Sequence, residues 1–361
     1  MSDRFRELLK KVGSGPHTGQ SLNREEARDA LGMMLQQEAT PAQIGAFLIA
    51  HRIKRPTGAE LAGMLDVYDE LGPHLTAPST PTIVLGCPYD GRSRTAPVTP
   101  LTALILATAG VSVVLHGGDR MPTKEGIPLI EIWQNLGIDW DRLSLEQVQQ
   151  VLNQAGIGFI YLPTHFPLAT ALVSYRRQIG KRPPISTMEL IWSPCLGDVT
   201  VAAGYVHPPT EGMFQDALSL RGISNYITVK GLEGSCDLPR DRTCIIGAYQ
   251  PHFLADDTIN GLERLLLHPT DYGLANSEIP LTSTSDLIDQ IKSVLAGEEN
   301  EMMKAAIWNG GFYLWRMGAC SDLNLGLLKA KNLLTSGAVT EKFNQLSRMT
   351  QDLTNLFQQT H

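Results

Sequence analysis

The sequence contains few cysteines and spaces them far apart. Its five cysteines form an odd-numbered set without a Cys-x-x-Cys pair: Cys87, Cys195, Cys236, Cys244 and Cys320. A disulfide framework and a zinc site are therefore not expected, because paired cysteines mark both. Unpaired thiols are typical of a reducing compartment, so we expect a cytoplasmic protein whose cysteines are small buried apolar groups.

Long apolar runs are also missing. No segment approaches the roughly 18 uninterrupted apolar residues of a membrane-spanning helix, so no membrane contact is expected. Residues 1–11 are charged and amphipathic, and they lack the apolar block of a secretion signal.

Positive charge is not in excess. The chain has 30 Lys and Arg against 37 Asp and Glu, a net charge of -7. This balance excludes a protein coated with positive charge, and it is compatible with a local basic groove. The 43% hydrophobic content excludes global disorder, and 361 residues predict about two domains.

Residues 1–76 contain helix signals and no strand signals. Four short helices are predicted, over about 4–12, 24–37, 41–54 and 58–71. Asn23 and Thr57 are the expected N-caps of the second and fourth helices, and Pro41 lies in the first turn of the third. These helices predict a small N-terminal helical domain.

Beyond a linker at 78–81, strands alternate with helices. Strands are predicted at 83–85, 111–115, 159–162, 199–206 and 226–229. Ser285 is the expected N-cap of a helical region that continues to the end of the chain. Residues 80–361 therefore predict a large α/β domain with a mainly parallel central sheet.

Loops at the carboxyl ends of such strands are where ligands bind. Three loops qualify, at 86–95, 116–126 and 230–237, and the segment 174–182 adds four cations within seven residues. A second basic cluster, at 51–55, lies in the helical domain.

Each of these features also has a structural interpretation. The loop at 86–95 is either an ordinary turn or an anion site at a helix N-terminus. His116 is either a hydrogen-bonded structural residue or a base, and we favour the structural role. Glu233 and Asp237 lie in either a solvated loop or a metal site, and we favour the solvated loop. The cations of 176–182 form either a solvated helix face or a phosphate site.

The motifs in these loops resemble those of the anthranilate phosphoribosyltransferase family, nearly end to end. The matching positions are Gly86, Asp90, Gly91, Thr99, His116, Gly117, Lys124, Gly158, Phe159, Pro163, Arg176, Gly180, Arg182, Val229, Gly231, Gly234 and Asp237. The resemblance implies a helical domain plus an α/β domain, dimerised through the helical one, with part of 165–195 joining it. It also implies Mg²⁺ as cofactor, phosphates held by Lys124 and the Gly86 loop, and Arg176 as reader of the anthranilate carboxylate.

The departures from the family pattern concern the phosphate cradle and the metal ligands. Pro88 and Tyr89 replace two glycines whose amides would cradle a pyrophosphate, and proline has no N–H to donate. Val98 replaces a serine oxygen, and Cys236 replaces a carboxylate, so Asp237 is the remaining candidate metal ligand. This pattern is similar to a diverged branch of the family, whose members are described as nucleic-acid-binding dimers that lack the parent activity.

Two functions follow from these observations. The first is a homodimeric protein without phosphoribosyl transfer that binds nucleic acid, or a small phosphorylated ligand, through a basic groove. The alternative is a phosphoribosyltransferase that moves phosphoribose from phosphoribosyl pyrophosphate to anthranilate or a related aromatic amine, with Mg²⁺. The candidate substrate- and phosphate-binding residues are Gly86, Asp90, Gly91, Arg92, Arg94, Thr99, His116, Gly117, Arg120, Lys124, Arg176, Arg177, Lys181, Arg182 and Lys230.

Overall fold

A computed structural model describes residues 3–15, 17–249 and 262–359. Its helices, in chain order, are α1 Asp3–Gly13, α2 Arg24–Leu35, α3 Pro41–Lys54, α4 Gly58–Leu71, α5 Thr99–Thr108, α6 Leu129–Asn135, α7 Leu145–Ala155, α8 Leu162–His165, α9 Pro167–Ala171, α10 Val173–Ile179, α11 Ile185–Met188, α12 Pro208–Leu220, α13 Thr284–Leu295, α14 Glu301–Arg316, α15 Leu323–Thr335 and α16 Ala338–Gln359. Its strands are β1 Leu75–Thr76, β2 Thr82–Gly86, β3 Ser112–Gly117, β4 Ile157–Tyr161, β5 Cys195–Leu196, β6 Val199–Gly204, β7 Tyr226–Val229, β8 Cys244–Tyr249 and β9 Glu263–Leu267.

The helical bundle α1–α4 is held by reciprocal caps. Asn23, Thr40 and Thr57 each cap a helix, and each accepts the backbone N–H of a Glu or Gln whose side chain returns the bond. Helices α9, α10 and α11 pack against α2, α3 and α4, so the segment 165–195 lies on the bundle.

The large domain is built on one mixed sheet with the strand order β4-β3-β2-β6-β7-β8-β9. The strands from β4 to β7 are parallel, and β8 and β9 add an antiparallel edge. These observations confirm a small helical domain plus an α/β domain with a mainly parallel sheet.

The register of the parallel strands brings their carboxyl ends to one edge. Gly86 at the end of β2 pairs with Ala203, and Gly117 at the end of β3 pairs with Tyr161. The loops after β2, β3, β6 and β7 therefore leave the sheet side by side, which places the candidate loops together.

Two details of the predicted elements are wrong. The N-cap before α13 is Ser283, whose side chain accepts the Asp286 N–H, and Ser285 lies inside the helix. Strands β8 and β9 were not predicted, because their pairing depends on the edge offered by β7. In the described part of the chain, no helix has the length and apolar character needed to cross a membrane.

Candidate functional site

Five charged residues meet at the carboxyl edge of the sheet, and we refer to them as the buried ion-pair cluster: Asp90, Arg92, Lys124, Glu233 and Asp237. Asp90 and Arg92 lie in the loop after β2, and Lys124 lies in the loop after β3. Glu233 and Asp237 lie in the loop after β7. All are buried except Lys124, which is half-buried. The sequence-predicted loops therefore do converge, and their opposite charges meet each other.

Asp237 is saturated by donors from the first of these loops. Its Oδ2 accepts Arg92 Nη1 at 2.9 Å and the Val98 N–H at 3.1 Å, and its Oδ1 accepts the Thr99 hydroxyl at 2.9 Å. Val98 and Thr99 form the start of α5, where the helix dipole favours a negative charge. The helix terminus that the sequence offers to an external anion thus holds a carboxylate of the chain itself.

Glu233 occupies a cradle of three successive backbone amides. Its carboxylate accepts the N–H groups of Ser93, Arg94 and Thr95 at 3.2, 3.0 and 3.0 Å. Arg92 Nε lies 3.4 Å from one carboxylate oxygen, and Lys124 Nζ lies 3.6 Å from the other. Successive amides that point at one centre form an anion-binding nest, and here the anion is a side chain.

The backbone and the charge of Glu233 both show that this arrangement is imposed by the cluster. Glu233 has a φ of 54°, a left-handed conformation that a non-glycine residue adopts only when its surroundings hold it there. Burial favours the protonated acid, but the amides of Arg94 and Thr95, with the charges of Arg92 and Lys124, lower the pKa of Glu233 to about 2. The carboxylate is therefore ionised at neutral pH.

Asp90 lies on the other side of Lys124 and is less well satisfied. Lys124 Nζ is 4.0 Å and Arg182 Nη1 is 3.8 Å from Asp90 Oδ1, and neither Asp90 oxygen has a hydrogen-bond donor within the described residues. Lys124 instead donates to the Gly91 and Glu233 carbonyls. Burial lowers the pKa of Lys124, although the charges of Asp90 and Glu233 oppose that effect.

These contacts do not fit a magnesium site. Both Asp237 oxygens already accept hydrogen bonds, and the guanidinium of Arg92 lies where a cation would have to approach. The adjacent Cys236 thiol faces Cys87, and sulfur suits Mg²⁺ poorly. Among residues 3–15, 17–249 and 262–359, no three His, Cys, Asp or Glu side chains are grouped to hold a metal ion. The favoured solvated loop is also wrong, because Glu233 and Asp237 are buried in ion pairs.

A separate cavity of about 320 Å³ lies beside the cluster, between the loop after β3 and helices α8 to α10. Its walls are formed by Tyr89, Gly118, Asp119, Arg120, Met121, Leu162, Pro163, Ala169, Thr170, Val173, Arg176, Arg177 and Glu189. Arg176 is buried there and pairs through both terminal nitrogens with Glu189, one of them at 3.0 Å. The Tyr68 hydroxyl donates to the same carboxylate at 3.3 Å. The arginine expected to read a carboxylate of a ligand thus already has one.

His116 has the contacts of a structural residue. Its Nδ1 lies 2.5 Å from the Tyr89 hydroxyl, and its ring meets those of Tyr89 and Trp192 edge-on. Burial lowers the pKa of His116 to about 3, so the ring is neutral at physiological pH.

The other candidate cations lie around the mouth of this region. Arg120 pairs with Glu131 at 2.6 Å, and Arg177 pairs with Glu125 at 3.2 Å. Arg94, Arg177 and Lys181 are exposed, and Lys230 is half-buried at the end of β7. The nine-residue basic groove expected from the sequence therefore needs correction, because Arg92 and Arg176 are buried against carboxylates and do not reach an external phosphate.

The two basic segments of the sequence meet at this mouth. Arg52 of α3 donates through Nη1 to the Arg182 carbonyl at 2.6 Å. We refer to the exposed or half-buried cations Arg52, Arg94, Arg177, Lys181 and Arg182 as the basic rim. Within the 51–55 cluster, His51 and Lys54 instead face the buried carboxylate of Glu60.

Comparison with known proteins gives a consistent fold. Residues 6–72 match the helical bundle domain of a glycosyl transferase family. Anthranilate phosphoribosyltransferases of Afipia carboxidovorans and Azorhizobium caulinodans are 29% and 28% identical to this chain, over 96% and 97% of its length and 98% of theirs.

Solved structures agree over the whole chain. The anthranilate phosphoribosyltransferase of Thermus thermophilus superimposes with a TM-score of 0.76 at 17% identity, covering 97% of this chain and all of the other. The Saccharomyces cerevisiae enzyme in complex with PRPP and Mg superimposes with a TM-score of 0.81 at 16% identity, covering 98% of this chain and 99% of the other. At these identities, the likeness establishes the fold.

Proposed function

We propose that this chain, whose fold is that of the anthranilate phosphoribosyltransferases, does not transfer phosphoribose from PRPP and instead binds nucleic acid through its basic rim. The observation that carries the proposal is self-occupation. Three positions at which a transferase of this fold would receive ligand groups are each paired with a charged side chain of the chain itself: Asp237 with Arg92, the amides of 93–95 with Glu233, and Arg176 with Glu189.

The amide cradle explains the loss of a phosphate site. A phosphate that entered it would have to displace the Glu233 carboxylate, which three amides and two cations hold. Pro88 contributes no N–H to compensate. Each charged hydrogen bond that is exchanged is worth about 1.5–3 kcal/mol, so little net binding free energy is left for an external phosphate.

The metal position supports the same conclusion. Mg²⁺ prefers six oxygen ligands in near-octahedral geometry. Asp237 would have to release Arg92 to provide one, and the guanidinium would then lie buried beside a divalent cation. Coulomb repulsion at such distances costs several kcal/mol in a protein interior.

The basic rim has the properties of a phosphate-backbone surface. Arg94 and Arg177 have side chains 78% and 62% exposed, and they lie on separate loops around one mouth. Exposed cations of this kind neutralise nucleic-acid phosphates with little reading of sequence. The homodimer implied by the sequence resemblance would place two such rims on one particle.

A specific observation favours the second candidate, phosphoribosyl transfer to anthranilate or a related aromatic amine. The whole-length relatives are named anthranilate phosphoribosyltransferases, and the yeast structure contains PRPP and Mg. These comparisons favour the transferase and give no support to nucleic-acid binding, which rests on the contacts of this chain. The two functions differ in a measurable requirement, because the transferase needs PRPP and Mg²⁺ and the binding protein needs neither.

Oligonucleotide binding tests the proposed function. We expect the full chain to bind single- or double-stranded oligonucleotides at about 50 mM salt without Mg²⁺, with an affinity that falls linearly in log salt. The variant Arg177→Ala/Lys181→Ala should reduce the slope by about 1–2 counterions. The matched control is Arg242→Ala/Lys304→Ala, which removes two exposed cations outside the basic rim. Absence of binding at 50 mM salt, or equal loss with the control, would remove nucleic-acid binding from the proposal.

A further inference from the structure

Two cysteines that are distant in the sequence meet beside the buried ion-pair cluster. Cys87 follows the last residue of β2, and Cys236 lies in the loop after β7. Their Sγ atoms are 4.0 Å apart. Cys87 is 6% exposed and Cys236 is 1% exposed.

The two thiols are held in fixed surroundings. Cys87 Sγ lies 3.6 Å from the Thr99 hydroxyl, and the Tyr313 hydroxyl donates to the Cys236 carbonyl at 2.7 Å. The loop after β7 lies directly on β6, because a Cβ on Gly204 would come within 2.0 Å of the Ser235 carbonyl oxygen. Neither cysteine lies within a regular strand or helix, so a shift at either position breaks no strand pairing.

The remaining gap is small compared with the reach of these side chains. A disulfide has an S–S length of about 2.05 Å, so the sulfurs must approach by about 2 Å. Rotation of the two side chains, with a small shift of either loop, provides such a movement. No other pair of cysteines among the described residues has a printed contact, and Cys244 instead lies against the Pro239 carbonyl at 3.1 Å.

We propose that Cys87 and Cys236 form an intramolecular disulfide when the protein meets a hydroperoxide. This modification site is independent of the proposed function, because it depends only on the two thiols. The more exposed Cys87 reacts first: its thiolate attacks one peroxide oxygen, the O–O bond breaks, and a sulfenic acid and an alcohol or water result. Cys236 then attacks the Cys87 sulfur, the S–S bond forms, and the sulfenic oxygen leaves as water. Two thiols lose two electrons and two protons, and the peroxide gains them.

The order of attack agrees with the surroundings of the two sulfurs. The contact with Cys87, followed by burial and the charge of Asp237, raises the pKa of the Cys236 thiol. Cys236 is therefore poorly suited to start the reaction and is placed to complete it. The bond would join the loop that carries Arg92 to the loop that carries Glu233 and Asp237, and it would fix both sides of the buried ion-pair cluster.

Peptide mapping without reduction tests the disulfide. The reduced full chain is treated with hydrogen peroxide under native conditions, the remaining thiols are alkylated, and the digest is analysed by mass spectrometry. We expect a Cys87–Cys236 linked peptide pair and an intact mass lower by two hydrogens, both reversed by dithiothreitol. The variant Cys236→Ser should leave Cys87 as a sulfenic acid that dimedone traps, and the control Cys320→Ser should form the link as the wild type does.

The wild-type map alone decides the outcome even if a serine variant does not fold. Recovery of Cys87 and Cys236 as alkylated free thiols after peroxide treatment would overturn the proposal. A link between any other pair of cysteines in the native protein would overturn it equally. The same treatment in urea, where the two positions are no longer held together, should give a mixture of products.

Discussion

Replacement of Arg92 by alanine should destabilise the protein by about 3–5 kcal/mol, the usual cost of removing one partner from a buried ion pair. The guanidinium is buried and donates to Asp237 at 2.9 Å and to the Ser235 hydroxyl at 2.8 Å, and its Nε lies 3.4 Å from Glu233. Its removal leaves two buried carboxylates that face each other across a cavity. Equilibrium denaturation in urea, followed by tryptophan fluorescence, measures the change.

The neighbouring arginine provides a matched control. Arg94 lies 3.8 Å from the same Glu233, but its side chain is 78% exposed. Exposed ion pairs contribute about 0–1 kcal/mol, so Arg94→Ala should be nearly neutral. The penalty of Arg92→Ala should also shrink as the pH falls, because the unpaired carboxylates can then take up protons. Equal effects of the two substitutions would show that Arg92 is not held in a buried pair.

A double-mutant cycle at Arg176 and Glu189 should show strong coupling. Arg176→Met and Glu189→Leu each leave one buried charge without its partner, and each should cost about 3–5 kcal/mol. The double variant removes both charges and should cost far less than the sum, with a residual penalty of about 1 kcal/mol for the lost Tyr68 hydrogen bond. Arg177→Ala, one residue away and exposed, is the control.

This cycle separates two roles of Arg176. An arginine kept free to bind a ligand carboxylate would have little coupling to Glu189 in the ligand-free protein. A coupling energy below about 0.5 kcal/mol would therefore contradict the self-occupied cavity. A large coupling energy would show that the arginine has its permanent partner within the chain.

Much of the fold could be predicted from the sequence, because local signals are strong where elements are regular. Asn23 and Thr57 cap their helices as expected, since a side-chain oxygen followed three residues later by Glu marks an N-terminus. The parallel strands appear as apolar runs, since both faces of such a sheet are buried. The N-cap of α13 was misplaced because Ser283, Thr284 and Ser285 offer equivalent oxygens, and only the backbone conformation selects Ser283.

The edge strands and the ion pairs were out of reach for a related reason. In β9, Glu263–Leu267, the pattern is a short edge segment whose assignment depends on β8. The loops of the site could be located, since carboxyl ends of parallel strands share an edge. The pairing within them could not: Glu233 reaches the amides of 93–95 only through a positive φ, and Glu189 reaches Arg176 only because two short helices turn back on each other.

Calorimetric titration of the full chain with PRPP and Mg²⁺ tests the central claim, that the chain's own charged groups fill the ancestral phosphate and metal positions. We expect no saturable heat at millimolar PRPP, with Mg²⁺ present or absent, for a protein whose unfolding transition shows that it is folded. The variant Glu233→Gln, which removes the competing negative charge from the amide cradle, should bind better than the wild type. Saturable, Mg²⁺-dependent binding of PRPP to the wild-type chain would contradict the account and would establish the transferase in its place.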